Sequence, residues 1–384
     1  YYPLAVSGLS SIHKAQLALI ISTLSEEGAP LLIITDDEAG AKRICDDINE
    51  MYAVSRNETA AYIYPAKDIT LARVESVSKE YEYQRLCVLA RLMDGSCKIV
   101  CASAEAVMQR TIPPDVLADR TIKLSRDTSV QLPDLISRLI AAGYTRCDKV
   151  ESPSQFSVRG SIADIFPVQE KMPVRMELWD DEIDSFAYFD PETQRRTEQI
   201  DELIIPPAGE VLFNSADALV QKINALSAGI RGKRTELVRS NLAKDADNVS
   251  NGVNLANIDK YLPLAYDKPA LIFDYLKPDS PVLFSEFHSC CEKAKAIQSQ
   301  FNEDVKILLE EGELCRGLDG YIAEFESISE TAVKFPCVLM DTFLRTNDIR
   351  CKKLWTMTAY QTAPWGGEIR QLSEDLRSFI DRNY

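Results

Sequence analysis

Pro30-Leu31-Leu32-Ile33-Ile34-Thr35 is an unbroken apolar run of strand length. A strand that is apolar at successive positions has no wet face, and burial on both sides is the habit of parallel sheets covered by helices. The neighbouring stretches repeat the theme. Leu4-Ala5-Val6 passes through a Ser/Gly turn into a helical stretch from His13 to Leu24, and a second helical stretch, Asp37 to Met51, follows the quoted strand. Ala61 to Tyr64 and Lys98 to Ala102 add two strands with a helix between them, and Pro113-Pro114 closes the segment. Strand and helix in alternation predict an α/β unit with a parallel sheet.

The middle of the chain changes character. A helix around Leu132 to Ala142 ends at Gly143, and short strands follow at hairpin spacing: Phe156 to Phe166, Val174 to Trp179 and Ile183 to Phe189. Asp180-Asp181-Glu182 and Asp190-Pro191 supply turns, and Pro206-Pro207 marks the far boundary. The pattern predicts an antiparallel α+β module inserted into the α/β frame. From Val211 to about Ala256 the chain reads as mainly helical. Alternation then returns with strands at Ala270 to Phe273, Val282 to Phe284, Cys337 to Met340 and Leu354 to Met357. A last helix, Ile369 to Asp381, gathers Ile369, Leu372, Leu376, Phe379 and Ile380 on one face. The expected division is residues 1–118 as the first half of the α/β domain, 119–209 as the insert, and 210–384 as a helical stretch plus the second half.

With 384 residues and 46% of them hydrophobic, the chain can bury more than one core. Its formal net charge of -16 argues against DNA binding as its main task, because a phosphate-binding face needs clustered cations. The most basic short stretch, Ile230 to Arg239, is modest. The ten cysteines form no Cys-x-x-Cys pair and no zinc spacing. Reduced thiols in a cytoplasmic protein are the expectation, with no signal peptide, no membrane span and no metal. The start at Tyr1-Tyr2, without methionine, suggests a fragment of a longer protein.

The first strand-to-helix turn stands where a phosphate-binding loop would sit. Such a loop needs glycines for close approach, a lysine for charge and a hydroxyl for magnesium. Only Gly8 is a glycine here, while Ser10, Ser11 and Ile12 fall on the second glycine, the lysine and the hydroxyl. Lys14 comes about a turn late and is expected to point elsewhere. A second nucleotide motif would place magnesium-binding and catalytic acids after an apolar strand. Val282-Leu283-Phe284 is followed by Ser285-Glu286-Phe287-His288, with serine where aspartate belongs. Two independent losses predict a degenerate nucleotide site without ATPase activity.

Gly143-Tyr144-Thr145-Arg146, the run Gln155 to Pro167, the run Pro173 to Ser185 and Phe189 to Arg195 together form a long pattern with fixed spacings. It closely resembles the insertion domain shared by the excision protein UvrB and the bacterial transcription-repair coupling factors (Mfd). Weaker matches at Met108-Gln109-Arg110, Leu271 to Leu276 and Ser285 extend the resemblance over nearly the whole chain. UvrB keeps both ATPase motifs and a tyrosine-rich DNA-gripping hairpin, whereas the stretch Tyr64 to Glu80 here has no tyrosine cluster. These departures favour the UvrB-like N-terminal part of the coupling factors. The resemblance implies a RecA-like parallel-sheet domain made by two chain halves, and a UvrA-binding insert. It also implies a role in transcription-coupled excision repair. RNA polymerase, DNA, ATP and magnesium would belong to regions of the parent protein beyond this chain, which itself needs no cofactor.

Strand parity supplies a docking face independently of the family. Val174, Met176 and Leu178 should face the core, and Arg175, Glu177 and Trp179 the opposite side, with Arg159 beside them and Gly160 at a bulge or close approach. Arginine and tryptophan on a wet sheet face have the composition of a binding hot spot. The competing expectation folds Trp179 over the sheet edge and pairs the arginines with Asp180, Asp181 or Glu182. The resemblance implies UvrA contacts at Arg159, Arg175 and Trp179, the last often phenylalanine in the family. Two rival readings are a UvrB-like excision-repair ATPase and an autoinhibitory module of a DNA translocase. A third, acid-base catalysis by Asp180, Asp181, Glu182 and Asp184, is countered by the simpler view of these acids as a solvated turn.

Overall fold

The computed structural model describes residues 2–25, 29–56, 58–72, 77–126, 128–231, 234–318, 320–343, 349–358 and 368–382. In chain order the first segment runs Leu4–Ser7 (β1), Ser11–Leu24 (α1), Leu31–Thr35 (β2), Glu38–Arg56 (α2), Ala61–Tyr64 (β3), Glu80–Asp94 (α3), Ile99–Ser103 (β4), Ala104–Met108 (α4) and Pro114–Arg120 (α5). Every residue of β2 is buried. Leu32 and Ile34 join one core while Leu31 and Ile33 join another, so alternate side chains serve opposite faces of the sheet.

The middle segment comprises Ile122–Ser125 (β5), Leu132–Ala141 (α6), Thr145–Arg146 (β6), Gln155–Arg159 (β7), Ile162–Ile165 (β8), Val174–Trp179 (β9), Glu182–Phe189 (β10), Arg196–Ile200 (β11) and Glu202–Ile205 (β12). Strands β11-β10-β9-β8-β7-β6 form a sheet that is antiparallel except for the β6–β7 pair. Beside it β5 pairs with β12, setting Ile122 against Ile205, so the segment's beginning and end are zipped together. A separate core, with Leu135, Phe156, Met176 and Phe186 at its centre, lies under this sheet.

The last segment holds Ala216–Gly229 (α7), Thr235–Ser250 (α8), Leu262–Ala265 (α9), Val282–Ser285 (β13), Phe287–Glu311 (α10), Phe325–Ala332 (α11), Cys337–Asp341 (β14), Lys353–Thr356 (β15) and Ile369–Asp381 (α12). Its strands interleave with those of the first segment in a parallel seven-stranded sheet, ordered β15-β1-β14-β13-β2-β4-β3. The expected α/β frame with an inserted antiparallel sheet is therefore present.

Two expected strands differ. Phe156 to Phe166 is not one strand but the hairpin β7–β8, turning at Gly160, whose φ of +61° places it in the left-handed region glycine tolerates. Ala270 to Phe273 does not join the sheet. Ile272–Tyr275 forms a 3-10 turn because the Asp274 carboxylate accepts the Leu271 N–H at 2.7 Å, while Ala270 makes a lone bridge to Thr111. Short apolar runs do not distinguish these outcomes by periodicity alone. Helix α12 exposes its apolar face: Ile369, Leu376 and Ile380 lie open to solvent. Among the described residues no helix is long and apolar enough to cross a membrane.

A buried charge cluster fixes the place where the inserted segment rejoins the frame. Arg85 of α3, fully buried, donates from Nε to Glu210 Oε1 at 2.6 Å and from NH1 to the Pro65 carbonyl at 3.0 Å, with its guanidinium 4.2 Å over the Tyr64 ring. Lys67 Nζ lies 3.1 Å from Glu210 and 2.9 Å from Asp259, and the Glu210 N–H donates to Glu82 at 2.8 Å. Burial alone would push the Glu210 carboxyl up, but Arg85 and Lys67 hold it below its ordinary value.

Candidate functional site

The face expected to dock a partner is the solvent side of the β7–β10 sheet. Along β9 burial alternates as parity requires: Val174, Met176 and Leu178 are buried, Arg175 and Glu177 half-buried, and Trp179 is 80% exposed. Register places Ile162 opposite both Arg159 and Glu177, and Asp164 opposite Arg175. Arg159, Arg175 and Glu177 therefore share one face, with Trp179 at its end beside the β7–β8 turn.

The arginines pair with neither Asp180, Asp181 nor Glu182. Their partner is Asp164, whose side chain is only 3% exposed. Arg175 grips it with a fork, Nε to Oδ1 at 2.6 Å and NH2 to Oδ2 at 2.8 Å, and also donates to Gln194 Oε1 at 2.8 Å. The guanidinium stacks 4.4 Å over Phe189. The hydrogen bond to Asp164 raises the Arg175 pKa further, so this group stays charged. Arg159 touches the same carboxylate at 3.3 Å but remains largely exposed. Glu177 pairs with Arg196 of β11 and accepts from Ser185 at 3.5 Å. Asp164, Phe189, Gln194 and Arg196 were not singled out in the sequence. Only the outward parity of Asp164 in β8 could have pointed to it.

Arg175 is thus held in place by contacts within the sheet. Fork-like bonding to a buried carboxylate removes most of its rotamer freedom, so less entropy is lost if the face is covered. Trp179 offers a large apolar area with two side-chain torsions to freeze. The face combines one cation held by a carboxylate fork, one largely exposed cation and an exposed tryptophan.

The expected degenerate nucleotide site differs from the sequence reading at Lys14. Rather than pointing away, Lys14 is buried and reaches the second motif: Nζ lies 2.6 Å from Glu286 Oε1, 3.2 Å from Ser285 Oγ and 3.4 Å from Thr342 Oγ1. Side chains on a helix tilt toward its N-terminus, so a long stem one turn into α1 swings back over the sheet end. Glu286, at φ +58°, also accepts from the Thr342 N–H at 2.8 Å and hydroxyl at 2.5 Å. Partial burial pushes its carboxyl up, and the bonds from Lys14 and Thr342 outweigh this and lower it. A carboxylate with three donors on one oxygen is poorly placed to serve as a base.

The turn itself is filled by protein. A Cβ on Gly8 would sit 2.0 Å from the Met357 carbonyl oxygen, so the glycine here admits the backbone that follows β15. The Leu9 N–H donates to the Asp341 carbonyl at 3.3 Å, and Ser10 Oγ lies 2.7 Å from His13 Nδ1. Ser11 and Ile12 begin α1 without a side-chain cap. Among the described residues no group of three or more His, Cys, Asp or Glu side chains could hold a metal ion.

The depressed Glu286 value carries a pH prediction. Because the folded value lies below the unfolded one, its stabilisation is complete above the ordinary carboxylate range and is lost as pH falls through the depressed value. Glu286→Gln should therefore be less stable than the parent chain at neutral pH, with the gap closing in acid. Denaturant melts of both proteins across that range measure it, and a gap independent of pH would refute the linkage.

Residues 122–210 match the family model of the UvrB interaction domain. Along 387 aligned residues, 99% of this chain, the sequence is 26% identical to the transcription-repair-coupling factor of Bacillus subtilis (strain 168), covering 32% of that protein. The corresponding protein of Staphylococcus aureus (strain MRSA252) is 22% identical over 392 residues, with 99% and 32% coverage. The chain spans about a third of the length of these curated relatives. Its segment 122–210 thus matches the UvrB interaction domain, and the chain as a whole is related to transcription-repair-coupling factors, consistent with their N-terminal region.

Proposed function

We propose that this chain recruits UvrA in transcription-coupled excision repair, using the outer face of the β7–β10 sheet, while its α/β domain serves as a scaffold that binds no nucleotide. The observation that carries the docking reading is the pairing of an exposed Trp179 with an Arg175 already locked by Asp164 and Phe189. Arg159 and Glu177 extend the contact surface on the same face. Contacts to RNA polymerase and DNA, and the use of ATP and magnesium, are assigned to other parts of a longer cytoplasmic protein. The net charge of -16 supports leaving DNA out of this chain's own role. UvrA retention on the immobilised chain, and its loss on Trp179→Ala, tests the reading.

The scaffold half of the proposal rests on Lys14, whose ammonium occupies the space between the two former motifs and bonds Glu286. A magnesium ion there would have to displace a buried ammonium. Magnesium-ATP should leave the melting temperature unchanged, since only a ligand that binds the folded state raises it. An upward shift reversed by chelator would favour the UvrB-like ATPase instead.

A further inference from the structure

Away from the docking sheet, α7 and α8 meet the turn after α10 at a cleft of about 590 Å3. That volume lies within the range of ligand pockets. Its floor is apolar, with Leu226, Val238 and Leu314, and Arg231, Arg234 and Arg316 stand around it. All three arginines are exposed, and among the described residues none forms an ion pair. Arg85, Arg126, Arg159, Arg175 and Arg196 each reach a carboxylate, while Arg138, Arg146 and Arg195 have no ion pair among the described residues either, so what sets Arg231, Arg234 and Arg316 apart is that they stand around one cleft. Three guanidiniums without an ion pair among the described residues, two from the α7–α8 turn and one from the turn after α10, make a locally positive cleft in a molecule of net charge -16.

The cleft is built into the fold. Arg239 donates to the carbonyls of Ser227 and Ile230, both at 3.1 Å, and so pins the α7–α8 turn that forms one wall. Gly229 also lines the cleft, and a Cβ there would meet nothing within 4 Å, which leaves the entrance open. An apolar floor beneath a cationic rim complements a chain that offers an apolar side chain flanked by carboxylates. A nucleic acid would gain the rim but not the floor, and with a charge on every phosphate it would meet more repulsion from the rest of the molecule than a short peptide whose few carboxylates all reach the rim.

We propose that this cleft docks an acidic peptide segment of a partner protein, with an apolar side chain seated on Leu226, Val238 and Leu314 and its carboxylates paired to Arg231, Arg234 and Arg316. This surface lies outside residues 122–210, so its occupancy is separable from events on the docking sheet. The probe is a fluorescein-labelled decapeptide of alternating Glu and Leu, followed by anisotropy with the intact chain. Saturable binding is expected, weakened roughly tenfold or more by Arg234→Gln with Arg316→Gln at unchanged melting temperature. A Gln/Leu peptide and a Glu/Ser peptide should each bind more weakly by a similar factor, since each lacks one half of the match. If the double variant loses stability, Arg231→Gln alone provides the same comparison. No binding by the parent chain, equal binding by the variants or by either control peptide, or tighter binding of a ten-nucleotide oligothymidylate would overturn the proposal.

Discussion

Glu210→Ala should cost about 3–5 kcal/mol of folding stability, read as a lowered denaturant midpoint at unchanged slope. The reason is what the substitution leaves behind. Arg85 is fully buried and its Nε hydrogen bond at 2.6 Å goes to Glu210, while Lys67 is 3.1 Å from the other oxygen. Removing the carboxylate strands one buried guanidinium and leaves Lys67 with Glu82 and Asp259. Glu210→Gln keeps the shape and a hydrogen-bond acceptor but not the charge, so it should fall between the two. Paired replacement, Arg85→Met with Glu210→Leu, should cost less than Glu210→Ala alone, because neither side chain then remains as an unpaired charge. A Glu210→Ala cost below about 1 kcal/mol would mean that water enters and solvates the guanidinium left exposed.

The second large effect concerns binding. Trp179→Ala should weaken UvrA binding by about 2 kcal/mol or more, roughly thirtyfold, without moving the melting temperature. At 80% exposure the ring contributes little to the core, so its loss should fall on the partner alone. Arg175→Ala behaves differently from a plain surface change. It would leave Asp164, 3% exposed, with only the 3.3 Å contact from Arg159, so stability and affinity should both fall. Parity alone would have forecast no stability loss. The Asp164 fork is what separates the two variants.

The frame was legible where local chemistry decides structure. Leu31 to Ile34 declared a two-sided burial that the two cores either side of β2 display. The alternation in Val174 to Trp179 set both faces of β9. What stayed hidden depends on partners far away in sequence. Lys14 looked misplaced one turn into a helix because its partner, Glu286, lies in the other half of the chain. Asp164 looked like one more polar strand residue until register set it against Arg175. Strand β11 is too polar and exposed to declare itself, and Ala270 to Phe273 was lost to a turn closed by a single aspartate. The fold was thus easier to read than the pairings that prepare its candidate site.

The most direct measurement is a calorimetric titration of UvrA into the parent chain and into Trp179→Ala, with a thermal melt of each sample. A docking face centred on Trp179 requires an affinity loss of roughly thirtyfold at an unchanged melting temperature. Unchanged affinity, or a loss accompanied by a large drop in melting temperature, would show that UvrA does not dock on this face through Trp179.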